Sequence, residues 1–155
     1  MKSFLALLLL IPSLSLAGFN EYKIYLSKLD TPLEKVITCY RMYDILSSSV
    51  ELATHDLILK NQLDKAQNLL GSFHNNKARA IFINKLAEQE GLIDIMNKSY
   101  EVGAETDYFA KNVQKFITPI CVKQLNNYMK EFKVLSDESY DESGKYINKF
   151  LEKHL

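Results

Sequence analysis

Apolar residues in this chain recur at steps of three and four, not in alternation, and that periodicity confines it to an all-helical fold. The clearest stripe runs through Leu33, Val36, Ile37, Tyr40, Tyr43, Leu46, Val50, Ala53 and Leu57. Within it Val36, Tyr43, Val50 and Leu57 stand seven apart, the spacing of a bundle-type packing face. Its start is marked by Thr31-Pro32-Leu33-Glu34. Thr31 can cap free backbone N–H groups, Pro32 suits a first helical position that needs no N–H, and Glu34 can bond back to the cap. The pattern predicts one long helix to about Lys60, with a continuation through Leu63, Ala66, Leu69 and Leu70 to Gly71 left open.

The other segments read the same way. A short first helix covers about Asn20 to Leu29. Ser72 to Asn76 reads as a polar connection. Lys77 to Glu90 is helical and stopped by Gly91, and Leu92 to Val102 is helical and stopped by Gly103. Thr106-Asp107 is expected to cap a last long helix whose stripe is Phe109, Val113, Phe116, Ile117, Ile120, Cys121, Leu125, Tyr128, Met129 and Phe132. Pro119 lies inside it and should disturb the hydrogen-bond ladder near Lys115 and Phe116. Ser136 to Ser143 is acidic and polar, and Lys145 to Lys153 forms a final amphipathic helix. The expected architecture is a bundle of about five to seven helices in a single domain, residues 18–155.

Residues 1–17 stand apart. Lys2 precedes the apolar run Phe4 to Ile11, Pro12 and Ser13 break it, and Ser15-Leu16-Ala17 offers a small-residue exit before Gly18. These are the parts of a cleavable signal peptide, too short and too broken for the ~20 apolar residues of a spanning helix. Export to the periplasm or the medium is therefore expected, with cleavage between Ala17 and Gly18 and no stable membrane span afterwards. In such an oxidising compartment the only two cysteines, Cys39 and Cys121, read as a disulfide between two long helices. Two buried thiols and an intermolecular bridge are the other readings of the same pair.

The charge balance excludes some partners. Nineteen basic residues meet nineteen acidic ones, no basic stripe is present, and Arg41 and Arg79 are the only arginines. Nucleic acid, which demands clustered positive charge, is not expected.

No catalytic constellation emerges, so no enzyme activity is assigned and no cofactor or metal is expected. His55 adjoins Asp56, but neighbouring residues on a helix point apart, and neither His74 nor His154 has a ligand one turn away. The carboxylates read as solvated, and Ser47-Ser48-Ser49 lacks the glycine turn of a nucleophile elbow. The compositional oddity is nine tyrosines without a tryptophan. Tyr40 and Tyr43 fall on the packing stripe. Tyr100, Tyr108, Tyr140 and Tyr146 lie near element ends and form the candidate interaction surface, because tyrosine supplies broad rigid contact and a hydrogen bond.

A small exported helical domain of this kind suits a protein that works by binding another protein. The expected function is an inhibitor or immunity protein against a toxic or cell-wall-degrading enzyme. A periplasmic structural or regulatory component, such as a phage lysis or superinfection regulator, is the alternative. A small secreted enzyme or effector is another, and so is a carrier of small apolar ligands. Self-association into a homo-oligomer is left open.

Overall fold

The computed structural model describes residues 18–108 and 110–155. The expected export segment, with its exit at Ala17, and Phe109 lie outside them. Among the described residues every regular element is helical. In chain order these are α1 (18–27), α2 (Pro32–Ile37), α3 (Tyr40–Leu59), α4 (Leu63–Gln89), α5 (Ile93–Val102) and α6 (Lys111–Thr118). A π turn follows (Pro119–Gln124), then α7 (Leu125–Glu131) and α8 (Lys133–His154). Helices α3, α4 and α8 form the trunk. The other elements pack around the end of the trunk where α3 begins.

The capping box at Thr31 forms as the sequence predicts. The Thr31 side chain accepts from Glu34 N–H at 3.1 Å, and Glu34 Oε2 accepts from the N–H groups of Thr31 and Asp30, each at 2.8 Å. The helix it starts is much shorter than expected. Thr38 turns its hydroxyl onto the Lys35 carbonyl at 2.7 Å, which uses its one proton. The buried Tyr22 hydroxyl therefore donates to Thr38 Oγ1 at 2.9 Å. Burial pushes the Tyr22 phenol up to about 12, so it remains a donor. These side-chain bonds compete with the helical ladder, and the chain turns at Thr38 and Cys39 before α3 begins.

Two further helix ends share one geometry. At the end of α3, Gln62 N–H bonds Leu57 O at 2.9 Å and Asn61 N–H bonds Ile58 O at 2.9 Å, with Asn61 left-handed at φ 54°. At the end of α4, Leu92 N–H bonds Ala87 O at 2.7 Å and Gly91 N–H bonds Glu88 O at 3.4 Å, with Gly91 at φ 70°. Both are Schellman closures. The stop at Gly91 and the end of α3 near Lys60 are as expected; the continuation toward Gly71 that the sequence left open does not occur as one helix, because Asn61 closes α3 first.

Gly71 and the polar stretch 72–76 are instead interior to α4. A solvent-facing glycine costs a helix only about 1 kcal/mol, and a side chain added at Gly71 would meet nothing within 4 Å. Phe73, fully buried against Ile147 and Phe150, returns about 2–3 kcal/mol. The hydrophobic term wins and the helix runs on.

Ser136 to Ser143, acidic and polar in sequence, is likewise helical and begins the last helix well before Lys145. Ser136, Ser139 and Ser143 are all buried at three- and four-residue steps. Ser143 donates to the His74 carbonyl of α4 at 3.0 Å and Ser139 to Leu135 O at 2.7 Å. Small hydroxyl residues thus make part of the α8 seam, while the acidic side chains face water. Thr106 and Asp107 do not cap α6. Thr106 is buried, turn bonds from Thr106 N–H to Gly103 O (3.0 Å) and from Ala110 N–H to Asp107 O (3.2 Å) occupy the loop, and α6 starts after the extended residue Ala110. The disturbance from Pro119 appears from the proline onward, as the π turn, rather than one turn earlier.

The cysteines are bonded. Cys39, in the turn before α3, and Cys121, in the π turn, have Cα atoms 5.5 Å apart, and both are buried. Around them lie Tyr22, Val36, Ile37, Tyr43, Phe82, Leu86 and Leu125.

The bridge closes a loop of 82 positions, worth roughly 4 kcal/mol in chain entropy. Cys39→Ser should therefore lower the melting temperature by about 10–15 °C under oxidising conditions. Reducing the parent protein should have the same effect; an unchanged melting temperature in the variant would contradict it. Thr31→Ala should cost about 1 kcal/mol in urea denaturation and Thr31→Ser almost nothing.

Candidate interaction face

Of the four tyrosines expected at the surface, Tyr100 and Tyr146 are exposed, each at 39%. Tyr108 is not: it is 2% exposed and packs edge-on against Tyr22 at 5.7 Å. The loop after α5 folds it inward over Gly103, where any added Cβ would collide with its hydroxyl. Burial drives its ionisation well above the usual tyrosine range. Tyr140 is half-buried against the core, and its carbonyl pairs with His74 Nε2 at 3.1 Å. Tyr43 is core, as its place on the stripe predicts, whereas Tyr40 is half-buried and lines a surface cleft.

Each exposed ring is held on two sides. The Arg41 guanidinium lies 4.2 Å from the centre of the Tyr100 ring, and the Tyr100 hydroxyl donates to Asp44 Oδ2 at 3.3 Å. Arg41 also donates to the carbonyls of Tyr100 and Ala104, both at 3.1 Å, so its fork caps the C-terminal end of α5. On α8, the Lys77 ammonium lies 4.2 Å from the Tyr146 ring centre, and the ring meets Phe73 edge-on at 6.1 Å. The Tyr146 hydroxyl donates to both Glu51 oxygens, at 2.9 and 3.2 Å. Burial, and then Glu51, hold that phenol above its ordinary range, which keeps the donor proton in place.

One residue that holds each ring, Asp44 for Tyr100 and Lys77 for Tyr146, lines a common cleft. It measures about 340 Å³ and is walled by Tyr40 and Asp44 of α3, by Lys77, Asn84 and Glu88 of α4, and by Glu142 of α8. Tyr100 is joined to its wall through Asp44, and Tyr146 through Lys77. Lys85 is tied to Glu142 at 2.9 Å, a bond that raises the lysine's affinity for its proton. Asn84 donates to Glu88 at 2.9 Å. The cleft is therefore a mixed surface of aromatic, cationic and anionic groups held by mutual contacts.

A second, apolar depression of about 190 Å³ lies between the end of α3, the start of α4 and the end of α8, lined by Ile58, Leu63, Ala66, Leu70, Leu151 and Leu155. Small-molecule sites begin at about 300 Å³, so this depression lends no support to a ligand carrier. Among the described residues no group of three or more His, Cys, Asp or Glu is arranged to hold a metal ion.

The pinning contacts on Tyr100 and Tyr146 join residues dozens of positions apart, so sequence periodicity alone could not pick these two from the nine tyrosines. The chain matches no family model, and neither a curated protein nor a solved structure is significantly similar to it.

The fork at Arg41 yields a direct expectation. Arg41→Lys keeps the charge but cannot reach two diverging carbonyls and a ring at once. It should lose about 1–2 kcal/mol of stability, nearly as much as Arg41→Ala. A lysine variant as stable as the parent would show that charge alone suffices.

Proposed function

We propose that this is an exported protein that acts by occupying another protein, as an inhibitor or immunity protein directed at a toxic or cell-wall-degrading enzyme. The observation that carries the reading is the pair of exposed tyrosines, Tyr100 and Tyr146, each clamped by a cation and an acceptor beside one cleft. Tyrosine is among the residues that dominate binding hot spots. A ring already fixed in place loses little rotamer freedom on association, and that saving goes into affinity.

Export is supported by the disulfide, which persists in oxidising compartments and is rare in the cytosol of most organisms. The signal-like residues 1–17 support it as well. Among the described residues no helix is long and apolar enough to cross a membrane. An inhibitor needs a stiff scaffold and a shaped surface, and a bundle bolted by a buried bridge supplies both.

The test is capture followed by inhibition. Oxidised protein, immobilised and exposed to native extract and culture supernatant from its source, should retain one stoichiometric enzyme whose activity falls on binding. Tyr100→Ala with Tyr146→Ala should weaken that complex by at least about thirtyfold, the effect of losing one hot spot of ~2 kcal/mol. Equal retention by the double variant, or a retained partner of undiminished activity, would overturn the proposal.

A further inference from the structure

His55 of α3 and His154 in the last turn of α8 are 99 positions apart in the chain. Folding brings their rings to 4.3 Å between centres, with planes inclined by 62°. Phe150 packs against both, at 6.5 Å from His55 and 4.8 Å from His154, and gives the pair an apolar backing. The pair and Phe150 border an open cleft of about 300 Å³, which Ser48, Glu51 and Leu52 also line. Glu51 stands one helical turn before His55 and lines the same cleft. Its carboxylate is oriented by the Tyr146 hydroxyl.

We propose that His55 and His154 form a two-imidazole site for one divalent transition-metal ion of the zinc, nickel and copper class. Imidazole is a preferred ligand of these ions. Two imidazoles sharing an ion at the usual ~2.1 Å metal–nitrogen length hold their ring centres about 4.6–5.3 Å apart. The observed 4.3 Å lies about 0.3–1.0 Å below that range, so the two rings turn apart to admit the ion. No third protein ligand is in position among the described residues, so water completes the coordination, and Glu51 contributes negative charge beside it. The ion would clasp the end of α8 to α3, about 22 Å along α3 from the disulfide turn. The inference stands apart from the protein-binding function and fails or survives independently of it.

Oxidised, metal-free, tag-free protein titrated calorimetrically with nickel, copper and zinc chlorides should bind one ion per chain. Cu²⁺ used as a paramagnetic probe should broaden the imidazole signals of His55 and His154 and spare His74, whose ring is engaged with the Tyr140 carbonyl. His55→Ala and His154→Ala should each weaken binding at least about tenfold, since loss of even an outer partner of a metal ligand costs ~10–100-fold. His154 lies in the final helical turn, so its replacement should leave the melting temperature of the metal-free protein unchanged and isolate the effect on binding. No saturable binding up to millimolar metal, broadening that reaches His74 equally, or undiminished affinity in His154→Ala would overturn the proposal.

Discussion

The Cys39–Cys121 bond occupies the place where two breaks in the helical ladder meet. Cys39 lies in the turn forced by Thr38, whose hydroxyl leaves the helix pattern for Lys35 and Tyr22. Cys121 lies in the π turn that begins at Pro119. The Tyr43 hydroxyl donates to the Cys121 carbonyl at 2.7 Å and accepts from Arg79 of α4 at 3.1 Å. The bridge is thus backed by a chain of polar contacts that runs from the π turn through Tyr43 of α3 to Arg79 of α4. Burial holds the Tyr43 phenol above its usual range against the opposing pull of Arg79, so the donor stays intact. Core positions such as Val36, Phe82 and Leu125 gather around this junction.

The sequence made some of this legible and hid the rest for physical reasons. Helical periodicity, the capping box at Thr31 and the stop at Gly91 rest on local chemistry, the pairing of the two cysteines on their count, and all appear in the structure. The break at Thr38 left no signal in the stripe, and the contact made there with Tyr22 joins residues sixteen positions apart. The end of α3 near Lys60 is as the stripe predicts, but its closing residue, Asn61, gave no local signal because asparagine is a rarer left-handed residue than glycine. The serines of α8 left no helical stripe in the sequence because a hydroxyl counts as polar in any hydropathy pattern, yet a small side chain with a local acceptor buries at little cost. At the candidate face, residue type suggested tyrosine, but only long-range contacts separate the pinned rings of Tyr100 and Tyr146 from the buried ring of Tyr108.

The same few residues serve both scaffold and surface. Arg41 closes the end of α5 and supports Tyr100; Glu51 orients Tyr146 and faces the histidine pair; Lys77 covers Tyr146 and walls the cleft. A change at any of them alters fold and face together. Thermal stability and partner affinity should therefore be measured side by side for these positions.

The placement of the bridge also divides the molecule topologically. Residues 39–121, with all of α3, α4, α5 and α6, form a covalent macrocycle, while α8 lies outside it. A protease that cuts once within the exposed turns of the ring opens the circle but releases nothing. A cut near Phe132, where α7 gives way to α8, leaves the last helix held only by its packing against the trunk. The ring from Cys39 to Cys121 thus keeps its pieces joined after a single cut, whereas α1 and α2 at one end and α7 and α8 at the other lie outside it.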